Sequence, residues 1–126
     1  MNVDAIDPSV RQDISDYLQL DEQALYGLIP PHLPEYAGTA FMNDGQERAG
    51  REAFEARVAP IRSKLCDEWK LCARMKDPSF DDGVKMVVMI GDVIAACTGG
   101  IPPFLAASLL LKIGLRKFCS CTPSAS

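Results

Sequence analysis

The chain has 126 residues, of which 48% are hydrophobic and 24% charged, a composition that fits one globular domain and excludes a disordered tail or a fibrous repeat. Its formal charge of −4 excludes a general nucleic-acid binder, because binding driven by the phosphate backbone needs a concentrated Lys/Arg surface. Five cysteines, at 66, 72, 97, 119 and 121, make an odd set, and the opening MNVDAIDPSVRQDISD lacks a signal-like apolar core, so a reducing cytoplasm is the expected setting.

The acids gather at the front, where residues 1–30 hold six acids and Arg11 as their only base. Asp7 before Pro8 caps a first helix whose apolar positions Val10, Ile14, Tyr17 and Leu18 recur at helical spacing. Asp21 caps a short second helix with Ala24, Leu25 and Leu28 inward, stopped by Pro30-Pro31. Three prolines and a glycine in IPPHLPEYAGTAFM, residues 29–42, predict a structured loop over the core. Its Pro31-His32-Leu33-Pro34 matches PxxP but has no basic anchor nearby.

The strongest helical stripe starts at Asn43 or Asp44 and runs through Phe54, Val58, Ile61, Leu65, Trp69, Cys72 and Met75. Pro60 predicts a bend or division near residues 56–60, which disfavours a long coiled coil. Ser79 and Asp82 form a capping-box pattern for a helix from about Phe80, with Val84, Val87, Val88, Gly91, Ile94 and Ala95 inward and Gly91 allowing close packing. Thr98-Gly99-Gly100-Ile101-Pro102-Pro103 then interrupts helicity before FLAASLLLKIGLRKFC forms a final helix, with Lys112, Arg116 and Lys117 complementing its dipole. The 19 uncharged residues between Asp92 and Lys112 are the most membrane-like feature, yet this interruption argues against one spanning helix.

Chemistry is sparse. His32 is the single histidine, and the spacing of Cys66, Cys72, Cys119 and Cys121 differs from paired zinc-knuckle loops. Core packing is expected for Cys66, Cys72 and Cys97, with Cys119 and Cys121 the better candidates for redox or metal chemistry. Among Asp81, Asp82 and Asp92, the last interrupts an apolar segment and would need a cation or donors if buried. Dinucleotide, Walker, HExxH, nucleophile-elbow and calcium-loop motifs are absent from the sequence. No catalytic, metal-binding or cofactor-binding residue is assigned, and no cofactor is expected.

The resulting expectation is an all-α, compact domain of four or five helices with an apolar C-terminal helical hairpin. Within a single domain spanning 1–126, residues 1–42 supply N-terminal helices and a Pro-rich covering loop, 44–118 the principal core, and 119–126 a flexible tail. The expected function is a non-enzymatic interaction or accessory subunit that binds another helical protein or itself as a homo-oligomer through Val87, Ile94, Leu105, Leu109, Leu110 and Phe118. The alternatives are a small-ligand hydrolase or cation-assisted enzyme using Asp92, His32 or the terminal cysteines, and a cytoplasmic protein weakly associated with a membrane surface.

Overall fold

In the computed structural model, residues 7–42, 44–76 and 82–121 are described, and none of them forms a strand. The class is all-α, but the expected four or five helices are replaced by eight α-helical segments among the described residues. Local backbone breaks account for the difference.

Helix α1, Pro8–Gln19, starts as its sequence dictates: the Asp7 carboxylate accepts from Ser9 N at 2.8 Å and from Ser9 Oγ at 2.7 Å. It buries Ile14, with Val10, Tyr17 and Leu18 packed at the edge of the core. Helix α2, Glu22–Gly27, is capped by Asp21, which accepts from Ala24 N at 2.8 Å. Leu25 and Tyr26 face inward here, whereas Ala24 and Leu28, expected inward, are exposed. The loop over residues 29–42 carries two 3₁₀ turns, Pro30–His32 and Pro34–Tyr36, and buries Ile29, Pro30 and Leu33. Its PxxP residues are therefore wound into turns and lack the extended form that a proline-recognition groove requires.

The long stripe from residue 44 to 75 is divided into α3 (Gly45–Glu55), α4 (Val58–Arg62), a π-helical stretch Ser63–Glu68, and α5 (Leu71–Arg74). The first break, at Ala56-Arg57, falls inside the window that Pro60 predicts, and Pro60 itself sits in the first turn of α4, where its missing N–H costs nothing. Asp44 makes an ion pair with Arg48 at 3.0 Å rather than a side-chain cap; Asn43, the other expected cap, lies outside the described residues. Trp69 N donates to Lys64 O at 3.0 Å to close the π turn, and Lys70 then takes a left-handed conformation, φ 58°, that ends it.

Helix α6, Gly83–Ile94, begins three residues later than expected, because Asp82 is itself the N-cap and accepts from Val84 N at 2.9 Å and Lys85 N at 3.3 Å. Ser79 and Asp81, its expected helpers, lie outside the described residues. Helix α7, Pro103–Ile113, runs through the centre and packs against α1, α2, α6 and α8, with every residue from Leu105 to Leu110 buried. Such all-round burial marks a core helix. The expected final helix does not run on, since Gly114, φ 109°, divides α7 from α8, Leu115–Phe118. Lys112 donates to Leu18 O at 2.6 Å, so it serves the end of α1 as well as its own helix. Among the described residues, no helix is long and apolar enough to cross a membrane. The C-terminal hairpin is thus a pair of short packed helices, with Phe104 of α7 lying on Gly91 of α6.

Candidate functional site

Two disulfides join the segment around α5 to the end of α8: Cys66 to Cys119 and Cys72 to Cys121. The expected core role of Cys66 and Cys72 and the expected redox or metal role of Cys119 and Cys121 give way to disulfide bonding, with Cys66 and Cys119 also packed against the core. The turn that presents Cys119 and Cys121 is a Schellman closure of α8. Ser120 N donates to Lys117 O at 3.3 Å and Cys121 N to Arg116 O at 2.8 Å, with Ser120 at φ 55°. Arg62 reinforces the junction, donating from Nε to Phe118 O at 3.2 Å while its guanidinium lies 4.8 Å from the Phe118 ring centroid. Cys97 is the remaining, free cysteine, half-buried against the core.

Beside this clasp lies an open groove of about 520 Å³, lined by Met75, Met86, Leu111, Gly114, Leu115, Arg116 and Lys117. The break at Gly114 shapes it: α8 turns away from the line of α7 and leaves the two helices as adjoining walls. Its floor is apolar, and its α8 rim carries two exposed cations, Arg116 and Lys117, that make no ion pair with a described residue. Sequence periodicity misses this site. Met75 reads as core stripe, Met86 falls off the expected face of α6, and Leu111 and Leu115 read as one continuous helix. Gly114 within an otherwise apolar run, followed by Leu-Arg-Lys, is the local signal that marks it.

The six residues expected to contact a partner, Val87, Ile94, Leu105, Leu109, Leu110 and Phe118, are all buried in the chain's own core. In the single chain Phe118 is 6% exposed and the other five 0%. His32 is exposed on the first 3₁₀ turn, and Asp92 is exposed on α6 at a smaller cleft of about 330 Å³ with Lys64, Glu68, Trp69 and Val93. Neither terminal cysteine keeps a thiol to act beside them. No group of three or more His, Cys, Asp or Glu among the described residues is placed to hold a metal ion.

Comparison with known proteins yields no matching family model, no matching curated protein and no matching solved structure.

Proposed function

We propose that this chain is a non-enzymatic recognition module, a disulfide-clasped accessory subunit that binds a helical segment of another protein in the groove between α5, α6, α7 and α8. The observation that carries this reading is the groove itself, an open depression in which half-buried Met75, Met86 and Leu111 and buried Leu115 form an apolar lining. An apolar lining contributed by neighbouring helices suits helix-in-groove docking, in which a partner's apolar stripe lies along the trough. Methionines on two of its walls suit a surface that adapts to a partner's side chains.

The two disulfides support work in an oxidising compartment rather than the reducing cytoplasm that the odd cysteine count first suggests. Selection of helix-length peptides from a random displayed library, followed by chemical-shift mapping of the winners on the oxidised protein, tests the reading. Enriched peptides should perturb Met75, Met86, Leu111 and Leu115. Failure to enrich any peptide, or mapping of the winners to another face, would overturn it.

A further inference from the structure

Resting on the groove as the binding surface, we infer that its partner is an amphipathic helix carrying acidic side chains beside its apolar stripe. Four of the other cations pair with acids, Arg48 with Asp44 at 3.0 Å, Arg51 with Glu47 at 2.6 Å, Arg57 with Glu35 at 3.8 Å and Lys64 with Glu68 at 3.3 Å, while Arg62, Arg74 and Lys112 donate to the backbone carbonyls of Phe118, Trp69 and Leu18. Arg116 and Lys117 are adjacent and exposed, make no ion pair with a described residue, and line the groove itself. In a protein of net charge −4, this leaves a local positive rim along an apolar trough. A partner that fills the trough with apolar anchors at i, i+3 or i+4, and i+7 brings its flanking positions to that rim, where Asp or Glu gains charge complementarity.

A bare apolar helix would leave both cations facing a dewetted edge, and a basic helix would meet repulsion. An anionic bilayer shares the positive charge preference but not the shape. The floor residues Met75, Met86, Leu111 and Leu115 are half-buried or buried in a concavity, whereas interfacial insertion needs apolar side chains that project.

The test uses the oxidised full chain and three synthetic helical peptides that share one leucine stripe and carry Glu, Gln or Lys at the flanking positions. Titration calorimetry should rank them Glu, then Gln, then Lys, with about tenfold between the first two at low salt. In the double variant Arg116→Glu/Lys117→Glu, which changes only exposed side chains, the order should invert; circular dichroism confirms that the variant is folded. Equal binding of all three peptides in the groove would overturn the acidic-partner inference while the recognition reading stands. No binding by any peptide would remove both. Binding of wild type, but not the variant, to phosphatidylserine vesicles with no peptide bound would overturn the inference in favour of a membrane ligand.

Discussion

Lys70 and Ser120 are the two non-glycine residues at positive φ among the described residues, at 58° and 55°, and each stands between the two cysteines of its own segment. Lys70 separates Cys66 from Cys72, and Ser120 separates Cys119 from Cys121. A left-handed conformation costs an L-residue about 1–2 kcal/mol, and such strain persists where the surroundings over-determine the backbone. Here two covalent bonds do so, bringing the π turn and the Schellman turn face to face.

Replacing either residue by glycine removes that cost and adds chain entropy to the unfolded state. Lys70→Gly and Ser120→Gly should therefore each stabilise the oxidised protein by a net of about 0.5–1 kcal/mol. Urea unfolding with an unchanged slope measures this, and a loss of stability in both variants would contradict the account.

The cysteine pairing predicts a thiol count. Under denaturing, non-reducing conditions one thiol, Cys97, should react with an alkylating reagent, and all five should react after reduction. The bonds span 53 and 49 residues and overlap. The first to close restricts a loop worth about 4 kcal/mol by chain entropy, while the second closes a much shorter ring and adds about 2.5 kcal/mol. Loss of one pair through Cys66→Ser/Cys119→Ser should thus cost less than full reduction does.

Gly50 of α3 packs on the backbone of α2, where an added Cβ would run into the Tyr26 carbonyl. Alanine gains about 1 kcal/mol of helix propensity there, but a backbone neighbour cannot rotate away, so Gly50→Ala should destabilise by about 1–3 kcal/mol net. At Gly91 a Cβ would come 2.6 Å from Phe104 Cδ1. That neighbour is a side chain able to move, so Gly91→Ala should cost less than Gly50→Ala. Thermal melts of the two variants test the ranking.

These two glycines also mark how far the sequence could be read. Gly91 stands in an apolar run, VVMIGDVI, where a missing side chain announces close packing, whereas Gly50 lies in the polar GQERAGRE and gives no such signal. The caps at Asp7 and Asp21 and the break near Pro60 were legible because each rests on local chemistry between neighbouring residues. The π turn, the left-handed Lys70 and the disulfides were not, since each depends on contacts between segments about fifty residues apart. The same limit hid the groove. Periodicity identified Val87, Ile94, Leu105, Leu109, Leu110 and Phe118 as apolar without telling core from surface, and the core took them all. Leu110→Asp consequently strikes the centre of α7 and should unfold the chain, which makes it a test of folding rather than of association.

Burial and nearby acids make Tyr17 and Tyr26 harder to ionise: desolvation raises both phenols above the ordinary 10.0, with Asp13 adding to Tyr17 and Glu22 to Tyr26. The native state then holds protons that the unfolded chain has released, so stability is full below pH 10 and falls as pH rises through the native values. Unfolding followed from about pH 9 to about pH 11 should show this decline. Tyr17→Phe/Tyr26→Phe should flatten it while keeping the Tyr26 ring contacts with Phe54 and Arg51.

Reduction should dismantle the groove before the core. Helices α5 and α8 have four residues each, far below the length at which a helix holds itself against the cost of nucleation. Their positions depend on Leu71, Leu115 and Phe118 packing inward and on the two bonds that join Cys66 to Cys119 and Cys72 to Cys121. Helices α6 and α7 are held differently, by the buried Val87, Val88, Ile90, Gly91 and Ile94 of α6 and the buried run from Leu105 to Leu110 of α7, none of them touched by a disulfide. A dithiol that reduces both bonds, itself becoming a disulfide, should raise amide exchange first in residues 64–76 and 114–121. Protection across α6 and α7 should survive, in line with local opening in the least buried units. Met75, Leu115, Arg116 and Lys117 belong to the loosened segments, so peptide binding in the groove should fall together with their protection and return on reoxidation. Hydrogen exchange read by mass spectrometry separates the outcomes: uniform loss of protection would mean that the disulfides hold the whole core, and unchanged exchange would mean that packing alone fixes α5 and α8.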